Sequence, residues 1–177
     1  MYFSVYDDNF GMQLWKSDGT PTGTVIVRTS MSVMENFTQN GNSFYFTMQV
    51  GSYGIELWKS DGTTAGTVRV QTINVSNPCT AKELTMVNAT LFYILEYSGR
   101  IVLGKSDGLP TGTIQIRSFN IASPALSYDL TSFNGTLYFK APFDFDVNYE
   151  LWKSDGTLTG TSIVKEIIPG PSAGSMP

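Results

Sequence analysis

The sequence predicts an all-β chain, a β-propeller-like array of four-stranded antiparallel blades, and three observations predict it. The motif LWKSDGTPTGT at 14–24 returns as LWKSDGTTAGT at 57–67, LGKSDGLPTGT at 103–113 and LWKSDGTLTGT at 151–161. Its aspartates Asp18, Asp61, Asp107 and Asp155 lie 43, 46 and 48 residues apart, the period of one supersecondary unit of four short strands. A second run precedes the last three copies, FTQNGNSFYF at 37–46, LTMVNATLFY at 84–93 and LTSFNGTLYF at 130–139. Each of these reads as strand, tight turn, strand, because Asn and Gly supply the positive φ that hairpin turns require.

Each unit is expected to hold four strands in order. The first is FTQ, LTMV or LTSF, the second SFYFTM, LFYILEY or LYFKA, the third IELWKS, IVLGKS or YELWKS, and the fourth TVRV, TIQI or TSIV. The units are blade 1 over 1–29, blade 2 over 30–73, blade 3 over 74–119 and blade 4 over 120–168, with 169–177 a connector toward a next repeat. Blade 1 opens in a second strand, MYFSVY, and lacks a first. The array is therefore expected to be incomplete, a fragment of a longer one or a chain that completes itself by association.

Asp18–Gly19, Asp61–Gly62, Asp107–Gly108 and Asp155–Gly156 are expected to be structural turns, the Asp accepting from backbone amides and the Gly left-handed. The second Gly of SDGTxxGT is expected to start the fourth strand. Trp15, Trp58 and Trp152 are expected in the core, with Leu14, Leu57 and Leu151 buried on the opposite face. Fourth strands alternate, Val25 and Val27 against Arg28, Val68 and Val70 against Arg69, Ile114 and Ile116 against Arg117, as a polar edge that repels further chains would.

Composition excludes more than it selects. The net charge is −4, and the Lys and Arg residues are scattered, so no basic stripe grips nucleic acid or an anionic bilayer. No apolar run reaches membrane-spanning length, and MYFSVYDDNF has no basic start or small-residue cleavage site of a secretory leader. There is one cysteine, Cys79, and no histidine, so an intrachain disulfide and the commonest general base are both absent.

QLWKSDGTPTGT, IELWKSDGTTAGT and YELWKSDGTLTGT, with NGTLYF upstream and IIPGPSAGS at 167–175, closely resemble the ELWxxDGT repeat family, propeller-like arrays in large bacterial surface or secreted proteins. The resemblance covers all four units and implies a fold and an extracellular or cell-surface setting; it brings no catalytic residues. The third unit departs from the family pattern with Val102 for Glu, Gly104 for Trp and Leu109 for Thr, so its blade is expected to be the least well packed.

The loops between second and third strands differ among the copies, DDNFG at 7–11, VGSYG at 50–54, YSGR at 97–100 and FDFDVNY at 143–149. Variation on one face of a repeat marks a candidate recognition surface. Asp7 with Asp8, and Asp144 with Asp146 and Asn148, are oxygen donors suited to Ca²⁺, although no stretch follows a calcium-loop pattern; no other cofactor and no dedicated metal site is expected. Tyr53, Tyr97, Phe143, Phe145 and Tyr149, with Arg100, offer contact area for a protein or a glycan. Four N-x-S/T sequons occur, at Asn36, Asn74, Asn88 and Asn134.

The expected function is thus a non-catalytic secreted or cell-surface module for binding or scaffolding, whose partners include further repeats of the same array or its own copies. A Ca²⁺-dependent adhesive array is the nearest alternative and a propeller hydrolase of sialidase or glycosidase type the next. The SDGTxxGT turn resembles the sialidase Asp box, itself a structural turn. A two-carboxylate glycosidase needs no histidine, but Glu35, Glu83 and Asp129 flank first strands as a repeated structural place.

Overall fold

The computed structural model describes residues 1–74, 77–122, 125–143 and 148–168; the connector predicted at 169–177 lies outside them. Four antiparallel meanders follow one another in chain order, so the described chain is all-β. The first sheet has three strands, β1 (Tyr2–Asp7), β2 (Gly11–Lys16) and β3 (Val25–Ser30). The second runs β4 (Met34–Asn40), β5 (Ser43–Val50), β6 (Gly54–Ser60) and β7 (Val68–Asn74); the third runs β8 (Cys79–Val87), β9 (Thr90–Tyr97), β10 (Arg100–Ser106) and β11 (Ile114–Asn120). The fourth runs β12 (Thr131–Phe133), β13 (Thr136–Pro142), β14 (Tyr149–Ser154) and β15 (Ser162–Lys165). In all four sheets a bulge falls at one place, after the motif leucine, between Leu14 and Trp15, Leu57 and Trp58, Leu103 and Gly104, and Leu151 and Trp152. The extra residue there twists the third strand against the fourth.

The chain gathers into two compact units, 1–79 with 108–113, and 80–107 with the chain from Ile114 onward. In the first unit, Leu14 and Val27 of the first sheet interdigitate with Phe44, Phe46, Met48 and Trp58 of the second. In the second, Phe92, Ile94, Leu103 and Phe119 meet Leu137, Phe139 and Trp152. Burial of this apolar area is the main drive for stacking one sheet on the next.

The repeated motif locks the turn in the first, second and fourth blades. Asp18 Oδ1 accepts from the amide and hydroxyl of Thr20 (2.9 and 2.8 Å), Asp61 from Thr63 (2.9 and 2.7 Å) and Asp155 from Thr157 (2.8 and 2.7 Å). These bonds hold the three carboxyls below their ordinary range. The threonine hydroxyl in turn accepts from the amide of Gly23, Gly66 or Gly160 at 2.9–3.0 Å. A Cβ on any of those glycines would overlap the motif carboxylate, so the second Gly is there to admit the Asp. Starting the fourth strand, the role expected from sequence, is secondary. The first Gly is left-handed in all four copies, with φ between 83° and 93°.

Three packing expectations need correction. Strand 4 is more than a polar edge: its Arg28 lies over the Trp58 ring of the next sheet at 4.4 Å, and Arg117 over Trp152 at 4.8 Å, a cation–π contact of stacked blades. Leu151 is 36% exposed whereas Leu14, Leu57 and Leu103 are at 0%, so the fourth blade's third strand is covered on one face only. The third blade is not the least well packed. Tyr93 fills the space that Gly104 vacates, so that a Cβ there would run into its ring, and its hydroxyl donates to Ile114 O at 3.3 Å. Burial raises the Tyr93 phenol well above its ordinary range.

Candidate functional site

The loops between second and third strands lie at the ends of β1, β5, β9 and β13, where the antiparallel ladder runs out and side chains leave the sheet. In the first unit, Asp7 Oδ1 accepts from the amides of Asn9 and Phe10 at 2.8 and 3.0 Å. It thereby closes its own turn, and one oxygen of the presumed Asp7–Asp8 pair is already committed; Asp8 is exposed. Phe10 in this turn is 60% exposed, and Tyr6 just before it is 68% exposed. Tyr53 is 47% exposed, and its carbonyl is anchored by Asn74 Nδ2.

In the second unit the loop residues divide. Tyr97 is buried and Arg100 lies over its ring at 4.6 Å, so this pair is a closed packing element and Tyr97 is not displayed, contrary to expectation. Tyr149 is half-buried against Tyr128, ring centroids 6.2 Å apart. Phe143 is 51% exposed and stacks at 6.3 Å on Trp152. It forms one wall of a cleft of about 300 Å³ whose polar lining includes Arg117, Ser118 and Asn120. Asp144, Phe145 and Asp146, and with them most of the second calcium expectation, lie outside the described residues.

Sequence reasoning missed two groups. Phe10 and Tyr6 were passed over in favour of the acids beside them, although a Phe between Asn and Gly in a short turn has no strand period to bury it. The other is a buried network away from the motifs, in which Glu96 accepts from Tyr128 Oη and pairs with Lys82 Nζ at 3.1 Å. Burial, and next the Glu96 bond, push the Tyr128 phenol far up. Glu96 and Tyr128 stand outside the repeated stretches, so repetition gave no signal for them.

Four further acids are engaged in structure. Glu56 accepts from Trp58 Nε1 at 2.9 Å and from Arg69 at 2.8 Å. Glu83 accepts from the amides of Tyr128 and Leu130, and Glu150 from those of Ile167 and Ile168. Asp129 bridges Lys140 at 2.8 Å, and that lysine with Ser127 lowers its titration. Among the described residues no group of three or more acids or cysteines is placed to hold a metal. No described helix is long and apolar enough to cross a membrane.

The sequons have structural partners too. Asn88 and Asn134 sit in their turns with φ of 53° and 49°, and Asn36 shares that conformation at 57°. Asn74 is buried, its amide donating to Tyr53 O and Asn77 O.

No protein-family model matches the chain, and no curated protein matches it. Among solved structures, the chain is similar to the α-L-arabinofuranosidase CtGH43 from Clostridium thermocellum ATCC 27405, at 16% identity and a TM-score of 0.40, over 98% of this chain and 74% of that one.

Proposed function

We propose that the chain is a non-catalytic repeat module of ELWxxDGT type, secreted or displayed at a cell surface, that binds a protein or glycan through its second-to-third-strand loops. The observation that carries this reading is the placement of exposed aromatics. Tyr6, Phe10 and Tyr53 at the loop end of the first unit are each between 47% and 68% exposed, while aromatics elsewhere in that unit, such as Phe44, Phe46 and Trp58, are buried. Exposed rings of this kind give large contact area at low entropic cost. Glu56, Glu83, Glu150 and Asp155 are meanwhile spent on an indole bond, amide caps and a turn. Of the two candidate Ca²⁺ positions, the one among the described residues begins from Asp7, whose Oδ1 already closes a turn.

The test is a binding screen of the labelled chain against arrayed glycans and surface proteins, repeated for Phe10→Ala and Tyr53→Ala. Loss of a captured ligand with unchanged melting temperature is the expected result. A hit that both substitutions leave intact would overturn the assignment of the surface. Turnover of p-nitrophenyl glycosides, the α-L-arabinofuranoside among them, would overturn the non-catalytic reading.

A further inference from the structure

Three kinds of contact group converge on the cleft between β11 and the loop end of β13 and β14, all of it within the second unit. The first is a cation with donors to spare. Arg117 is half-buried, its guanidinium 4.8 Å from the centre of the Trp152 ring and 5.4 Å from that of Phe119. A guanidinium carries five N–H donors. One of them goes to Thr161 O at 3.0 Å, and no described carboxylate pairs with the rest. Arg69 differs, being neutralised by the motif acid Glu56 at 2.8 Å. The third blade has Val102 where Glu56 and Glu150 stand, so its own sheet offers Arg117 no such partner.

The second is a pair of backbone amides. β11 is an outer strand, bonded on one side only, to β10. Ile121 N donates to Gly99 O at 3.0 Å, and bonded pairs alternate along an antiparallel ladder. Ser118 and Asn120, opposite Val102 and Arg100, therefore take the intervening positions. Their N–H groups turn away from β10, on the side of the cleft that both residues line. The third is an apolar wall, Phe143, 51% exposed and stacked on Trp152 at 6.3 Å.

At about 300 Å³ the cleft is at the small end of ligand pockets, with room for one ring and its substituents. Among the described residues no acid lines it, so an anion enters without meeting a like charge. A guanidinium fork beside amide donors matches a carboxylate through parallel N–H···O bonds. The C–H face of a saccharide packs on an exposed aromatic ring through dispersion and apolar burial.

We propose that this cleft binds a hexuronate residue of a glycan, with the carboxylate on Arg117 and the Ser118 and Asn120 amides and the pyranose face on Phe143. It rests on the reading of the second-to-third-strand loops as a recognition surface, and it names the class of glycan. The nitrogen-15-labelled chain, titrated with methyl glucuronide, its neutral twin methyl glucoside, acetate and N-acetylphenylalanine, tests it through amide chemical shifts. The glucuronide is expected to move the Ser118 and Asn120 amides saturably. The glucoside and acetate each lack one of the two contacts and bind about tenfold more weakly or worse, as loss of a hydrogen bond to a charged group implies. Arg117→Met keeps an unbranched cover over Trp152 without the charge and loses the preference for glucuronide over glucoside. Arg117→Lys keeps the charge without the fork and falls between. Phe143→Ala weakens the glucuronide and leaves acetate unchanged; this residue is exposed, so its variant keeps the test open even if those at Arg117 do not fold. Equal binding of glucuronide and glucoside overturns the proposal, as do shifts that spare Ser118 and Asn120 or an Arg117→Met variant that still prefers the glucuronide. N-acetylphenylalanine binding as tightly as the glucuronide overturns it too, in favour of a peptide terminus. Failure here leaves the screen on Phe10 and Tyr53 standing, and a screen that fails on those residues leaves this cleft to be judged by its own amides.

Discussion

The second and third blades solve one packing problem with opposite partners. At the bulge of the third strand the second blade places Trp58 across from Phe46, and the third places Gly104 across from Tyr93. In the second, the indole is held by Glu56 and covered by Arg28. In the third, the phenol swings into the empty place, and β9 and β10 are buried along almost their whole length. Both positions vary among the copies: the fourth-strand position occupied by Arg28 and Arg117 is Gln71 in the second blade, and the position of Trp58 and Trp152 is Gly104 in the third. What the repeat preserves is filled volume at the bulge, whichever strand supplies it.

The largest effects will come from removing the indoles where they fill that volume. Trp152→Ala should cost about 3–5 kcal/mol, because Trp152 is 2% exposed, edge-on to Phe119 at 5.0 Å, bonded to Ala141 O and capped by Arg117. Trp58→Ala should fall toward the lower end of the same range. Trp15 is half-buried, bonded to Gln13, and has no arginine over it among the described contacts, so Trp15→Ala should cost about 1–2 kcal/mol, in proportion to the smaller apolar area it buries. Chemical denaturation of the three variants ranks them. Equal costs would mean that the blade, and not the covering arginine and neighbouring sheet, sets the value of the indole.

A smaller effect probes the third blade directly. Gly104→Ala asks Tyr93 to withdraw its ring, and overpacking of this kind costs about 1–3 kcal/mol. Tyr93→Leu removes the far end of the ring that the new methyl would meet, so the double variant should be less destabilised than the two single variants added together, a coupling expected only of residues in contact. Strict additivity would show that Tyr93 does not occupy the vacated place.

The sequence disclosed the strands because Asn-containing turns and period-43-to-48 motifs are local signals, and the hairpins of β4–β5, β8–β9 and β12–β13 fall where those turns lie. Stacking was legible only in part. That Trp58 is core could be read from its apolar setting, whereas the arginine above it comes from another blade, and Arg28 read by itself looks like a solvated edge residue. Compensation at Gly104 was misread for the same reason: the residue that fills the gap is eleven positions upstream, aligned with Phe46 and Phe139 and differing from them by a hydroxyl. In the loops, composition suggested ligands where Asp7 serves its own turn and Tyr97 is covered by Arg100. A short polar side chain next to free amides finds them before it finds anything else.

The smallest effect separates the motif turns from the blades that carry them. Asp61 and Asp155 titrate below the ordinary 3.8 because Thr63 and Thr157 donate to the ionised form through hydroxyl and amide. A carboxyl whose folded-state pKa is depressed contributes stability that is fully present above its unfolded value and is lost as pH falls through the folded one. The melting temperature should therefore hold steady at neutral pH and decline from about pH 3.8 downward. Asp61→Asn keeps an oxygen that Thr63 can reach but removes the titration, so the variant should melt slightly lower at pH 7 and lose less between pH 4 and pH 2. Thr63→Val leaves the charge and removes the hydroxyl donor, which weakens the depression and flattens the same limb, and it also strips Gly66 of the acceptor for its amide. Calorimetry across that range distinguishes the two. If both variants track the wild-type curve in parallel, the acid loss belongs to other carboxylates, such as the Asp129–Lys140 bridge, and the turns contribute geometry alone.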